Sequence, residues 1–162
     1  MNRVAGVMKI HTKDKWSLYL ISSIVLGSSF IVNLITAMVT GGKEPIYTGG
    51  VASIYVYMFV AGIIVLAQMF PFALGLSVRR TDFYLGTAFM IGVINAVTAL
   101  VLLLFAFIEQ KTEGWGVNLH FFHLPYLNDG TIIEQFVIFF IILLHMSFLG
   151  FLIASVYQRL PP

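Results

Sequence analysis

The sequence predicts an all-α fold, a polytopic membrane helical bundle with four transmembrane helices. Composition is the first observation behind this: the 162-residue chain is 59% hydrophobic and only 10% charged. A soluble domain averages about 45–50% apolar and about 25% charged residues, so these few charges cannot cover a core of this size in water. The second is a mean hydropathy of +0.96. The third is the clustering of apolar residues into four runs, near 18–39, 51–76, 83–108 and 132–157. A helix needs roughly 20 apolar residues to cross a bilayer, and each run meets that length.

Apart from Glu134 in the opening turn of the fourth run, none of the four contains Asp, Glu, Lys or Arg. Their Val, Ile and Phe content would favour strands in water. In lipid an isolated strand leaves its backbone groups unpaired, so runs of this length are helical. A transmembrane barrel would instead alternate over segments of about ten residues, a pattern the chain lacks. The whole of 1–162 reads as a single transmembrane domain. Its opening, MNRVAGVMKIHTKDKW, is charged throughout and does not read as a cleavable signal.

Basic residues give the direction. With four spans, segment 1–16, the loop after the second span and the C-terminal tail share one side. They hold Arg3, Lys9, Lys13, Lys15, Arg79, Arg80 and Arg159, against Lys43 and Lys111 in loops 40–50 and 109–131. The richer side is expected to be cytoplasmic, with both termini inside and 109–131 as an outer loop. Trp16, Tyr19, Tyr84 and Tyr157 on one side, with Tyr47 and Trp115 on the other, fall at the interfacial level that amphipathic rings favour.

The segment FPFALGLSVRRTDFYLGT places its charges between the second and third runs. Pro71 is expected to kink or loosen the last turns of the second helix. Arg79 and Arg80 anchor the 77–82 loop in water and headgroups, and Thr81 or Asp82 can cap the next helix. Residue chemistry alone leaves two readings, a topology anchor or a docking surface for a soluble partner.

Within the spans, Asn33, Gln68, Asn95 and His145 are polar; the expectation is hydrogen bonding between helices, and the alternative is a substrate pathway. His145 is the ionisable side chain placed deep in a span. Ala88, Gly92 and Ala96, with Gly150 and Ala154, form small-residue rows that let backbones approach, within the subunit or between subunits. His120 and His123 are spaced by three, but two ligands do not make a metal site without Glu113 or Asp129 folding back. No metal is expected; Phe121, Phe122 and Leu124 are expected to dip into the outer interface. The chain has no cysteine. It also has no phosphate-binding Gly–Lys–Ser/Thr loop and no nucleophile–base arrangement, and too few basic residues for nucleic acid.

Four segments, GGVASIYVYM (49–58), FPFALGLSVRRTDFYLGT (70–87), GWGVNLHFFHLP (114–125) and ASVYQR (154–159), resemble bacterial permease subunits of ATP-binding-cassette (ABC) exporters of the second type. The similarity is to a branch of unassigned substrate. It implies a permease that pairs with a second permease subunit in the bacterial cell membrane, driven by separate cytoplasmic ABC ATPase subunits. ATP would be bound by those partners, and the chain would be neither an enzyme nor a cofactor binder. The resemblance places a coupling helix at Ser77–Phe83, with Ser77, Arg79, Arg80, Thr81, Asp82 and Phe83 against the ATPase. It also places an amphipathic interfacial helix at Val4–Trp16, where Val4, Val7 and Met8 share a face and Lys9 and Lys13 lie toward another. Relatives of this type have six spans, so the last two are expected to be missing here. The alternative is a small non-transporting membrane scaffold or accessory protein.

Overall fold

The computed structural model describes residues 15–75, 77, 79–125 and 129–158. The surface helix expected before the first span falls mostly on residues 1–14 and lies outside the described residues. So do the side chains of Trp16 and Tyr19, and Arg159.

Four long helices dominate: α1 (Lys15–Val39), α2 (Ala52–Gly75), α3 (Arg80–Lys111) and α4 (Ile132–Tyr157). All four are long and apolar enough to cross a membrane. At 1.5 Å rise per residue the 32 residues of α3 extend about 48 Å, well beyond a hydrocarbon core of about 30 Å. Helix α3 starts and stops three residues outside the expected 83–108 run. Propensity explains this, since Arg, Glu, Gln and Lys are good helix formers and a hydropathy window stops where they begin.

The boundary at 79–83 differs accordingly. Arg79, in extended backbone (φ −65°, ψ 140°), takes the N-cap place with no side-chain cap bond, and Thr81 and Asp82 fall inside the first turn. Asp82 still sits where the helix dipole favours a carboxylate. Pro71 lies inside α2, which continues to Gly75. Proline cannot donate to the carbonyl four residues back, that of Ala67. The neighbouring Leu66 carbonyl accepts a hydrogen bond from Gln158 Nε2 of α4 at 3.1 Å.

Helices α2 and α4 share the most intimate contact, α3 packs on α4, and α1 leans on α2 and the connections at the Glu109 end. Two glycines make the α2–α4 approach possible. A Cβ on Gly62 would be driven into the Ser147 carbonyl, and one on Gly150 into that of Phe59. One apolar cluster, at the Arg79 end, joins Leu66, Ala73, Phe83, Ile91, Phe151 and Ala154. The other, at the Glu109 end, joins Val51, Ile54, Met58, Leu102, Phe121, Phe122 and Leu143. Outward faces carry Ile31, Val60, Leu104 and Ile141 among many exposed apolar residues. In water such a coat would be an aggregation hazard.

The connections at the Glu109 end hold two short strands that hydropathy does not reveal. β1 (Ile46–Tyr47) pairs in parallel with β2 (Leu119–His120), Ile46 opposite Leu119 and Tyr47 opposite His120. Thr48 N–H extends the ladder by donating to the His120 carbonyl at 3.1 Å. Helix α4 then opens on a capping box. Glu134 N–H donates to Thr131 Oγ1 at 3.4 Å, and Thr131 N–H donates to Glu134 Oε2 at 2.7 Å.

Candidate functional site

At one end of the bundle α2 turns into α3 through a short connection. Ser77 adopts a left-handed backbone (φ 58°), and its N–H donates to the Leu74 carbonyl at 3.0 Å. The chain then extends through Arg79 and enters α3. Arg79, Arg80 and Thr81 are exposed, and neither arginine makes an ion pair among the described residues. Two residues further, Phe83 is only 2% exposed. Its ring meets Phe70 of α2 at 5.4 Å and Tyr84 at 6.0 Å, and Tyr84 meets Phe151 of α4 at 5.5 Å. An exposed cationic tip is thus bolted, through one aromatic cluster, to α2, α3 and α4. Edge-to-face aromatic pairs of this kind add about 0.5–1.5 kcal/mol each beyond area burial.

The opposite end is organised by Glu109, which the sequence suggests is just another charge of the outer loop. It lies inside α3 and is 0% exposed. A carboxylate in the last turn opposes the helix dipole, and burying it without donors would be costly. Donors surround it. Trp115 Nε1 donates to Oε2 at 2.9 Å, Phe121 N–H to Oε2 at 3.1 Å, Phe122 N–H to Oε2 at 3.0 Å and His123 N–H to Oε1 at 2.9 Å. His120 Nδ1 stands 4.0 Å from Oε1, beyond hydrogen-bond reach. Segment 112–123 is therefore folded around one anion.

That anchoring accounts for an uncommon backbone. Glu113, Trp115 and Asn118 all have positive φ, at 52°, 59° and 53°, a conformation costing roughly 1–2 kcal/mol per residue outside glycine. Trp115 is held there by its indole bond to Glu109, by its N–H donating to Thr112 Oγ1 at 3.2 Å, and by Phe30 at 5.0 Å. Asn118 Nδ2 donates to the Gly42 carbonyl at 2.9 Å, tying this segment to the α1–α2 connection.

Phe121 and Phe122 do not dip outward into an interface. They are 0% and 3% exposed and turn into the bundle, because the three consecutive N–H groups aimed at Glu109 fix the chain direction there. His120 stacks on Tyr47 at 4.8 Å. Among the described residues no three His, Asp or Glu side chains converge as a metal-ligand set.

The polar residues inside the helices separate into two groups. Asn95 is buried and exchanges hydrogen bonds with Ser147, Nδ2 donating to Oγ at 3.0 Å and Oγ to Oδ1 at 3.2 Å. This pair joins α3 to α4 at mid-helix. Asn33 Nδ2 instead donates within α1 to the Ser29 carbonyl at 2.8 Å, and Gln68 and His145 face outward. Of the small-residue rows, Gly150 and Ala154 pack inside the bundle. Ala88, Gly92 and Ala96 are half-buried, and a Cβ on Gly92 would meet nothing within 4 Å.

Glu109, Trp115, Gly62, Ser147 and Gln158 are therefore the positions that sequence reasoning passes over. A carboxylate closing a long apolar run, followed by two glycines and a tryptophan, was the available signal for the first two. In comparisons with known proteins, no family model, curated protein or solved structure matches this chain.

Proposed function

We propose that the chain is a membrane-embedded permease subunit of an ABC-type transporter, an exporter, in a bacterial cell membrane with both termini cytoplasmic. The observation that carries this reading is the 77–83 turn: two exposed arginines without an ion-pair partner among the described residues, one turn from the buried Phe83, whose aromatic cluster reaches three helices. A solvated handle on a rigid bundle suits coupling to an external motor. ATP-driven closure of a partner ATPase would press on the turn, and the Phe70–Phe83–Tyr84–Phe151 cluster would pass the displacement to α2, α3 and α4. Access to a path between this subunit and a second permease subunit would change in response. The four apolar helices and the concentration of basic residues on the Arg79 side support insertion with that turn inside.

The test is co-purification of the membrane-inserted protein with its ATPase. Replacing Arg79→Glu and Arg80→Glu together puts repulsion where attraction is proposed, and the complex should be lost while insertion is retained. Retained co-purification would discard the docking role. A native chain that never captures an ATPase would favour the scaffold reading.

A further inference from the structure

A cleft lies between α1 and α3, two helices that make little direct contact along this stretch. Leu26, Gly27 and Phe30 of α1 face Val101 and Phe105 of α3 across about 200 Å³. An apolar cavity of about 150 Å³ stays dry and accepts a molecule the size of benzene, so this space suits a hydrocarbon better than water. Trp115 and Phe122 close it at the end toward Lys111. Phe30 meets Trp115 edge-on at 5.0 Å, and Phe105 stacks on Phe122 at 5.2 Å. Both roof residues are bound to the Glu109 carboxylate, the first through its indole and the second through its backbone. The side of the cleft is open, because Ser23, Val101 (41% exposed) and Phe105 (36% exposed) lie on its rim.

We infer that this cleft is a binding site for one acyl chain of a bilayer lipid, entering sideways between α1 and α3 beneath a roof latched by Glu109. Depth argues for that occupant. Phe105 lies six residues from the end of α3, and Ser23 sixteen from the end of α1. At the helical rise these are about 9 Å and about 24 Å below the helix ends, so the cleft runs from the edge of the hydrocarbon layer into its interior in the membrane proposed above. The walls carry no charge, and Ser23 Oγ is the one side-chain hydroxyl among the lining residues. Gly27 leaves the space open: a Cβ built there meets nothing within 4 Å. The inference rests on membrane insertion and stands apart from ATPase docking at the Arg79 turn.

The experiment is photo-crosslinking of the full chain in nanodiscs of phosphatidylglycerol. A fraction of the lipid carries a diazirine in the middle of one acyl chain, and the adducts are mapped by mass spectrometry. Adducts at Leu26, Phe30, Val101 and Phe105 should exceed those on the outward face of α4, at Ile141 and Leu152, by about tenfold, as for a site favoured over bulk lipid by one decade in affinity. Gly27→Leu puts an isobutyl side chain into the cleft from a position where a Cβ meets nothing within 4 Å. It should keep the native melting temperature, remove the cleft adducts and leave those on α4 unchanged. Cleft adducts no denser than those on α4 would overturn the inference, as would cleft adducts that survive in folded Gly27→Leu protein. Should that variant not fold, the native ratio of cleft to α4 adducts decides alone. Loss of ATPase co-purification with cleft adducts intact would count against the transporter and not against the lipid site.

Discussion

Replacing Glu109 with glutamine changes almost no volume and removes one acceptor. The carboxylate takes bonds on Oε2 from Trp115, Phe121 and Phe122, and on Oε1 from His123, at 2.9–3.1 Å. The amide oxygen can stand in for only one of these atoms. Placed at Oε2, it leaves the NH2 group facing the His123 N–H, donor against donor. The surviving bonds also fall from charge-assisted to neutral, roughly half the strength. A hydrogen bond to a charged group contributes about 1.5–3 kcal/mol, and a buried donor left unsatisfied costs about 1–3 kcal/mol. Together these give a loss of about 3 kcal/mol for closure of the 112–123 segment, a factor of about a hundred in its opening equilibrium. Hydrogen exchange in nanodiscs reads this directly. Amides of Phe121, Phe122 and His123 should exchange about a hundredfold faster in Glu109→Gln, while amides in the middle of α4 keep native protection. In a Trp16→Phe background the fluorescence of Trp115 should shift as its indole loses its acceptor. Exchange at 121–123 within a few-fold of native would refute the claim that this carboxylate organises the 112–123 cap.

Four further outcomes follow from packing, hydrogen bonding and capping. Gly150→Leu forces a side chain against the Phe59 carbonyl and should lower stability by about 3 kcal/mol or more, the upper end for overpacking. Gly92→Ala, with open space at its Cβ, should be neutral or raise stability by up to about 1 kcal/mol; thermal unfolding in one detergent separates the two. A double-mutant cycle of Asn95→Ala and Ser147→Ala should give a coupling of about 0.6–2 kcal/mol, and strictly additive losses would mean the reciprocal bond contributes nothing. Thr131→Ala removes the hydroxyl half of the α4 capping box and should cost about 1 kcal/mol, seen as faster exchange confined to the first turn of α4.

The four long helices are legible in the sequence because hydropathy is summed over some twenty residues, and no local accident can mask such a sum. Boundaries are less legible. The 83–108 window misses both ends of α3, where Arg80 and Lys111 continue the helix although they lower hydropathy. The exposed arginines at 79 and 80 could be read from charge alone, whereas the ties from Phe83 to α2 and from Tyr84 to α4 depend on rings far apart in sequence. Asn95 is visible as a polar residue in an apolar run, but its partner Ser147 is one of many serines. Glu109 was hidden for a different reason. Three of its four donors are main-chain N–H groups, which every residue but proline carries, so only the Trp115 indole leaves a mark in the sequence. Gly62 and Gly150 share that difficulty, since a small residue facing a neighbour and one facing open space, such as Gly92, look alike in a string of letters.

A cytoplasmic motor can reach its proposed handle only if the Arg79 tip and the Glu109 cap lie on opposite sides of a membrane, the tip inside. The chain has no cysteine, so Arg80→Cys and Glu113→Cys each introduce one thiol at an exposed position. With a membrane-impermeant maleimide, intact cells should label position 113 at once and position 80 only after permeabilisation. Labelling of position 80 in intact cells, with 113 protected, would invert the protein and put its proposed handle beyond the reach of any cytoplasmic motor.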